Sequence, residues 1–373
     1  MQYLVLVLIF IRPFISSLAY PWENSVYSLA LIAILLFWLI RSSVSLERLK
    51  KLSLPIIVFV LAISLSSYFS VNKIKNAAES YKYLSGILLI LTLPSLTEKF
   101  RKRYIAGILT CCMVISILAI YQYFIGFSHL RNFINTQNIT APFILDYLRQ
   151  KRVFFPFVTP GTLAGYLVMV APLILLYKRR AWLFIPLLCA LFLTQSLGAF
   201  ISLFLTAMVY VLLKNDFKKI RGIFMLGFLV LFIPLIFFMR ISSGKEHLSP
   251  LFSVFMRINY WQDTIGIIKM HPFLGVGMGN FNLAYSRYAH NSFLQLWAET
   301  GLIGIVSLFW LIYAILVNSV GKLKNLAGDK ETLILATCLA AFIFHNLWDF
   351  SFFLPEVSLI WWAILGLLSK PKS

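Results

Sequence analysis

Runs of about twenty apolar residues recur along almost the whole chain, and they constrain its fold more than any other feature. An α-helix needs roughly 20 such residues to cross the hydrocarbon core of a bilayer. The 373-residue chain is 60% hydrophobic and only 12% charged, whereas a soluble domain carries about 25% charged residues. The sequence therefore predicts an all-α, polytopic integral membrane protein, in which residues 1–373 form a single membrane domain.

About twelve apolar runs, separated by polar breaks, are the predicted membrane spans. Several are short or contain proline, and no small-residue cleavage site follows the first, so the first run is expected to serve as the insertion signal. The predicted spans are residues 3–20, 26–40, 52–70, 81–97, 104–124, 153–177, 181–196, 198–213, 222–239, 291–316, 332–348 and 355–368.

The basic residues predict the orientation, because cytoplasmic loops carry an excess of Lys and Arg. Most of the 33 Lys and Arg residues lie in alternate short breaks, at 41–51, 98–103, 178–180, 214–221, 321–331 and 370–373. Both termini are therefore predicted to be cytoplasmic, with His290 opening to the outside. The net charge of +20 is partly this topological signal, and no soluble basic module is present that would bind nucleic acid.

The four cysteines lie inside apolar runs, at Cys111, Cys112, Cys189 and Cys338. Neither a disulfide framework nor a thiolate metal site is suggested by this distribution, so we expect them to pack in the apolar interior. The sequence has no Asp-x-Asp motif and no histidine cluster with the spacing of metal ligands. We therefore expect no metal and no other cofactor.

Two predicted outside segments, 125–152 and 240–290, are too long to be simple turns. The second contains a predicted helix, with Ser249 as its cap, Pro250 in its first turn, and an apolar stripe formed by Phe252, Phe255, Ile258 and Ile265. His271-Pro272 should end this helix. The following "GVGMGN", residues 275–280, is a glycine-rich turn, which can cradle a phosphate but is more often only a tight turn.

Basic residues also occur in these two outside segments, against the positive-inside trend. They include Arg149, Lys151, Arg152, Arg257 and Arg287. Contact with lipid headgroups or solvation would account for any one of them. Guanidinium groups can also hold a phosphate group through paired hydrogen bonds, so the arginines are candidate phosphate ligands.

His290 stands at the mouth of the tenth run. At about 100° per residue, Gly301 falls on its face of the helix and Gly304 lies close by, which would let another helix approach below the histidine. Glu299 falls nearly opposite and is expected to satisfy a neighbouring helix or backbone group, since a buried carboxylate is costly there. A lone histidine in such a place is more often structural than catalytic.

These residues together resemble the signature of the bacterial O-antigen ligase family: His290-Asn291, nine residues, then Gly301-x-x-Gly304. The stretch from Arg257, "RINYWQDTIGIIKMHPFLGVGMGNF", is similar to the family's arginine, helix and glycine-rich turn. The block from Arg152, "RVFFPFVTPGTLAGYLVMVAP", resembles an earlier family block. The resemblance covers about residues 150–350. The layout of about twelve spans, with one large, partly helical periplasmic loop (240–290) between the ninth and tenth, fits a GT-C-like membrane glycosyltransferase.

The resemblance implies glycosyl transfer at the periplasmic face of the bacterial inner membrane. The donor would be a glycan on undecaprenyl pyrophosphate, and the acceptor a sugar hydroxyl of lipid A-core. His290 matches the family histidine proposed as the base, and Arg152 and Arg257 match arginines proposed to bind the pyrophosphate. The chemistry agrees, because histidine can take a proton from a hydroxyl near neutral pH. Arginines can also neutralise the leaving group without a metal, and a single displacement would invert the anomeric centre.

Two stretches depart from the family pattern. The family often carries Ser-Arg-Gly at the turn between the seventh and eighth spans, where this chain has leucine, Leu197. One pyrophosphate-binding charge is therefore missing, and Arg149 or Lys151 are candidates to replace it, with Arg287 a further candidate near His290. The Asn-Pro-Asn of the earlier block is replaced by residues 158–161, Val-Thr-Pro-Gly.

A further polar pair lies near the outer end of the eleventh span. His345 and Asp349 are four residues apart, which on one helical face would allow a hydrogen bond. A pair that only caps the end of the span and a pair that binds the acceptor are equal alternatives.

Three functions stay open at this stage. The first is an O-antigen ligase, which the His290-Asn291 and Gly301-x-x-Gly304 spacing favours. The second is the related polymerase, which joins two lipid-linked units, or a relative that transfers glycan to protein; the missing turn arginine leaves room for it. The third is a transporter of lipid-linked sugar. Transporters more typically carry internal repeats and polar groups near the midplane, whereas the polar groups of this chain gather towards one face.

Overall fold

The computed structural model of the chain describes residues 1–42, 46–137, 145, 148–177, 182–214, 250–320 and 328–369. Every regular element in these ranges is helical, which confirms the predicted all-α class. The α-helices within them are α1 (Gln2–Ile11), α2 (Pro21–Arg41), α3 (Leu46–Phe69), α4 (Lys73–Thr92), α5 (Glu98–Tyr121), α6 (Phe127–Thr136), α7 (Pro160–Val170), α8 (Phe184–Leu193), α9 (Leu197–Lys214), α10 (Pro250–Met270), α11 (Ser292–Val320), α12 (Lys330–His345) and α13 (Pro355–Leu368).

Five helical segments are long and apolar enough to cross a membrane: Pro21–Arg41, Leu52–Phe69, Glu98–Thr136, Leu197–Lys214 and Ser292–Ser319. Shorter apolar helices occupy Gln2–Phe14, Pro160–Leu176, Phe184–Leu193 and Pro355–Leu368. The membrane-protein class is therefore confirmed, and the count of about twelve spans stays a prediction. The predicted ninth span, 222–239, lies outside the described residues.

The bundle is built around α13, in which every residue is buried. α13 packs against α4 and α12, α11 runs along α3, and α12 lies against α7 and α9. Of the four cysteines, Cys111, Cys112 and Cys338 are buried as predicted, whereas Cys189 is exposed. The prediction for Cys189 was wrong because an apolar run in a membrane protein has a face that the protein itself does not cover.

The predicted outside segment 125–152 begins as a helix, and the end of the fifth span near residue 124 stays a prediction. α5 continues through a π-helical turn, Gln122–Gly126, directly into α6. The buried side-chain Oε1 of Gln122 accepts hydrogen bonds from the backbone N–H groups of Phe154 and Phe155, both at 2.9 Å. The π turn thus presents a buried amide to the chain that leads into α7.

α1 ends where Pro13 begins a 3-10 turn, and Arg12 is fully buried at that point. Its Nη1 donates to Ile15 O at 3.0 Å, and its Nη2 lies 3.8 Å from Glu356 Oε2 at the start of α13. Burying a cation is tolerated when a carboxylate and carbonyls accompany it. This ion pair therefore ties the first helix to the central one.

The helix predicted inside the 240–290 loop is confirmed as α10, which ends at Met270 before His271-Pro272. Its predicted cap, Ser249, lies outside the described residues. The apolar stripe predicted for it is largely exposed, with Phe255 62% exposed, although Ile258 of the stripe lines the cavity described below. The last turn of α10 and the segment that follows share a small apolar cluster with α11, made of Ile268, Phe281, Leu283, Ala289 and Ala298. This cluster fixes α10 relative to the start of α11.

Candidate active site

A cavity of about 460 Å³ lies between α7, α9, α10 and the neighbouring ends of α11 and α12. It brings together three residues predicted from the sequence, His290, Arg152 and Arg257. His345 and Asp349, the polar pair predicted either to cap the eleventh span or to bind the acceptor, line the same cavity. Residues almost 200 positions apart in the sequence therefore converge on one space.

His290 precedes α11 rather than lying on it, and its backbone is in the left-handed region, with φ 51°. The reason is Asn291, whose Oδ1 accepts hydrogen bonds from the N–H groups of Phe293 and Leu294, both at 3.1 Å. Asparagine is a strong N-cap residue, and the residue before a cap lies outside the helix. The predicted helical face shared by His290 and Gly301 was therefore wrong.

The imidazole of His290 lies between aromatic rings. Tyr260 of α10 stacks on it with ring centroids 5.7 Å apart, and Phe350 contacts it edge-on at 4.9 Å. Burial, and next the positive charge of Arg257, lower the pKa of His290 to about 4, while Asp349 acts in the opposite direction. The neutral imidazole, with a lone pair able to accept a proton, is therefore the form present at pH 7.

Two arginines, Arg152 and Arg257, line the cavity. Arg152 donates through Nε to Thr194 O at 3.0 Å, which fixes it on the turn between α8 and α9. Arg257 projects from α10, and its Nη1 makes a long contact of 3.4 Å to Ser253 O. Burial lowers the pKa of Arg257, partly offset by the carboxylate of Asp349. Arg257 Nε is buried and has no hydrogen-bond partner in the described ranges, so this guanidinium retains a donor that they leave unused.

His345 is the last residue of α12, and Asp349 lies in the turn that follows. The prediction that the two residues share one helical face was therefore wrong. The turn still brings His345 Nε2 to 3.8 Å from Asp349 Oδ1. Nε2 also lies 3.1 Å from Gly161 O. Because a carbonyl oxygen only accepts, Nε2 carries the proton. In the neutral imidazole Nδ1 is then an acceptor, and it is buried without a partner in the described part of the chain.

The stretch that replaces the family's Asn-Pro-Asn shapes this corner of the cavity. Thr159 caps α7 by accepting from Thr162 N–H at 3.1 Å. A Cβ at Gly161 would come within 2.5 Å of Asp349 Oδ2, and one at Gly165 within 2.5 Å of His345 Cδ2. The two glycines, one helical turn apart, let the end of α12 lie directly against α7.

Hydrogen bonds of Ser292 connect the start of α11 to the end of α12. Its N–H donates to Asn346 O at 2.9 Å, and its Oγ lies 2.7 Å from Asn346 Oδ1 and 3.0 Å from Asp349 O. This connection holds His290 and the His345–Asp349 pair at a fixed separation.

The other basic candidates do not line the cavity. Arg149 and Arg287 are exposed, and the Arg287 guanidinium lies 5.7 Å from the Tyr288 ring centroid. Lys151 is also exposed and lies 5.7 Å from the Tyr123 ring. Leu197 lines the cavity at the place where the family often has arginine.

Glu299 is satisfied as expected, by a neighbouring side chain and by backbone. Gln295 Nε2 donates to its Oε1 at 3.0 Å, and Gly279 N–H donates to its Oε2 at 3.3 Å. The glycine-rich turn therefore binds α11: Val276 N–H also donates to Ala298 O at 2.9 Å. In this structure the turn is a structural element rather than a phosphate cradle.

Gly301 interrupts α11, with φ 70° and ψ −178°. Leu302 N–H donates to Pro272 O at 2.8 Å across the break, and a Cβ at Gly301 would overlap Phe273 O. The close approach predicted for this glycine is therefore real, but the approaching segment is a loop and not a helix.

Two indole side chains of the cavity were missed from the sequence. Trp348 Nε1 donates to Gly198 O at 3.0 Å, and a Cβ at Gly198 would come within 2.6 Å of the Trp348 ring. Trp261 lies four residues after Arg257 on α10, a spacing that could have identified it. In the described ranges, no three His, Cys, Asp or Glu side chains are grouped as a metal site requires.

Residues 182–309 match the family model described as O-antigen ligase. The matched range is roughly a third of the chain. It includes Leu197, Arg257, His290 and both glycines of the Gly301-x-x-Gly304 motif, whereas Arg152 lies before it. The resemblance found from the sequence is therefore confirmed. No curated protein matches the chain.

Proposed function

We propose that this protein is an O-antigen ligase that transfers a glycan from undecaprenyl pyrophosphate to a sugar hydroxyl of lipid A-core. The observation that carries the proposal is the cavity in which His290 meets Arg152 and Arg257, within a chain that matches the O-antigen ligase model. We further propose that the cavity opens at the periplasmic face of the bacterial inner membrane and that both termini are cytoplasmic. The alternating basic breaks of the sequence support this orientation.

His290 is the general base of the proposed reaction. It takes the proton of the acceptor hydroxyl while that oxygen forms a bond to the anomeric carbon of the donor. The bond between this carbon and the phosphate oxygen breaks, and undecaprenyl pyrophosphate leaves with both electrons. Attack opposite to the leaving group inverts the anomeric centre. The neutral state of His290 at pH 7 supports this role.

Arg152 and Arg257 are the proposed ligands of the pyrophosphate. Their charges lie where negative charge grows as the bond to phosphate breaks, which is the condition for electrostatic catalysis. The two guanidinium groups can perform this stabilisation themselves, so we propose a metal-independent transfer. Binding of the pyrophosphate to Arg257 also cancels the positive charge that helps to lower the pKa of His290. Donor binding thereby makes His290 a stronger base.

His345 and Asp349 are the proposed contacts of the acceptor. The unpartnered Nδ1 of His345 can accept a hydrogen bond from a sugar hydroxyl, and Asp349 is an acceptor with an ionisable carboxylate. Because Ser292 connects this pair to the start of α11, an acceptor held there would be oriented towards His290.

A polymerase that joins two lipid-linked units is the alternative, and Leu197 favours it. Leu197 lines the cavity where the family often has arginine, and neither Arg149 nor Arg287 lines the cavity in its place. The pyrophosphate site therefore has fewer charges than the family pattern predicts.

The test is reconstitution of the purified protein with undecaprenyl-pyrophosphate-linked glycan, with and without lipid A-core, in EDTA. His290→Ala is compared with His129→Ala, a histidine of α6 that is exposed and outside the cavity. Transfer to lipid A-core that only His290→Ala abolishes would support the ligase. Chain growth on the donor alone would identify a polymerase. No glycan transfer at all, under conditions where a known ligase works, would refute both and favour a transporter.

A further inference from the structure

Two buried N–H donors on α10, Arg257 Nε and Trp261 Nε1, have no hydrogen-bond partner among the residues that the structure describes. The residues are one helical turn apart, so their side chains are neighbours, and both line the cavity. The other indole of the cavity differs, because Trp348 Nε1 already donates to Gly198 O. A buried donor costs free energy unless it is satisfied. Trp261 therefore offers a donor that the described part of the chain leaves unused.

Ring contacts establish which end of α10 lies beside the proposed base. Tyr260 stacks on His290 with the ring planes 21° apart, so the level of residues 260–261 is the level of His290. Arg257 follows one turn away along the helix axis. Val254, which also lines the cavity, lies about 9 Å from Tyr260 along that axis at 1.5 Å per residue.

We propose that Trp261 binds the first sugar of the donor, the ring whose anomeric carbon is attacked; this inference rests on the proposed function. With that carbon at His290, the phosphate attached to it lies towards Arg257. The prenyl chain then continues towards Val254 and the exposed side of α10, where Phe255 is 62% exposed. The transferred sugar lies at the level of Trp261.

The chemistry of an indole suits a sugar better than a phosphate. A sugar ring has oxygen acceptors at its edge and an apolar C–H face, and an indole supplies an N–H donor beside a large apolar surface. A phosphate anion is bound more strongly by a charged donor such as Arg257. The two residues of α10 therefore bind different parts of the donor: Arg257 binds the pyrophosphate, and Trp261 binds the sugar.

The test compares binding of two lipids in detergent, undecaprenyl pyrophosphate and the same lipid carrying its glycan. Trp261→Leu is expected to weaken binding of the glycan-linked lipid about 10-fold and to leave binding of bare undecaprenyl pyrophosphate within about 2-fold. Trp261→Phe, which keeps the ring and removes the N–H, should give a smaller loss in the same direction. Arg257→Gln should weaken both lipids. Trp182→Phe, at a 62% exposed position outside the cavity, is the matched control.

The outcomes separate this inference from the proposed function. Equal loss of both lipids in Trp261→Leu, or no loss in either Trp261 variant, would overturn the sugar contact while leaving the ligase intact. A wild-type protein that binds neither lipid and transfers no glycan would instead remove the proposed function. A Trp261→Leu protein that does not fold is recognised by its melting temperature, and the Trp261→Phe result then decides alone.

Discussion

Gly301→Ala should destabilise the protein strongly, because two independent costs fall on the same residue. The backbone at φ 70° and ψ −178° lies in a region that is essentially restricted to glycine, and placing another residue there costs about 1–3 kcal/mol. The new Cβ would also overlap Phe273 O and C, closer than the 3.0 Å that Cβ atoms keep from other heavy atoms. Overpacking of this kind costs about 1–3 kcal/mol more.

The obstacle at Gly301 is backbone, so rotation of a side chain cannot relieve it. The total of about 2–6 kcal/mol corresponds to a lowering of the melting temperature by about 3–8 °C for a chain of this size. The loop that contains Phe273 leads to His290, so displacement of the loop should also reduce glycan transfer. Thermal unfolding in detergent measures the first effect, and the reconstituted transfer assay measures the second.

Gly266→Ala is the matched control. Gly266 lies inside α10 with no left-handed backbone, and a Cβ there would meet no atom within 4 Å in the part of the chain that the structure describes. Alanine is also favoured over glycine inside a helix by up to about 1 kcal/mol. We therefore expect Gly266→Ala to melt close to the wild type or slightly above it. A Gly301→Ala protein as stable as the wild type, or a Gly266→Ala protein equally destabilised, would refute this reasoning.

Three further predictions concern the cavity. Because burial and Arg257 lower the pKa of His290 to about 4, kcat/KM should stay constant below pH 6.5, the usual pKa of histidine, and decline only as pH approaches 4. The pH dependence of kcat reports the substrate complex. Its acidic decline should lie at higher pH than that of kcat/KM, because the bound pyrophosphate cancels the Arg257 charge. A decline of kcat/KM and kcat together near pH 6.5 would contradict this reasoning. Asn291→Ala removes the cap of α11. It should lower the free energy of unfolding by about 1 kcal/mol, measured by thermal unfolding, and should also lower kcat. Asn291→Asp keeps a capping oxygen and should be close to the wild type in both measurements. Leu197→Arg adds a guanidinium to the cavity and should tighten binding of undecaprenyl pyrophosphate by about 10-fold; Leu197→Met is its control, and equal affinity in the two variants would argue against a pyrophosphate beside this turn.

Apolar periodicity was sufficient to predict the all-α class, and the family resemblance singled out His290, Arg152 and Arg257, which line one cavity. Neither could predict the backbone of His290, because the capping bonds of Asn291 decide where α11 begins. The sequence also predicted that Asp349 lies on the same helix as His345, whereas this helix, α12, ends at His345. The helix ends with Asn346 as its C-cap, and the following turn places Asp349 against Gly161, a contact that the sequence does not show.

The charge pattern was informative about some basic residues and not about others. Arg149, Arg257 and Arg287 all lie in segments predicted to be outside the membrane, so charge and position alone do not separate them. The family resemblance matched Arg257, and the structure separates it in the same way, since Arg257 lines the cavity and the other two are exposed. The spacing of Trp261 from Arg257 was the only sign of it in the sequence, and the structure adds that its N–H has no partner among the described residues.

The partners of Glu299 have a consequence for how the chain is made. A ribosome delivers the protein to the membrane from its N-terminus, and a carboxylate entering the bilayer alone is costly. Both hydrogen-bond partners of the Glu299 carboxylate, Gln295 and the Gly279 N–H, are synthesised before it. Ser292, in contrast, can form its hydrogen bond with Asn346 only after more than fifty further residues have been synthesised. α11 can thus enter the membrane with its acidic group already paired, and the arrangement of side chains around the cavity is completed only when α12 follows.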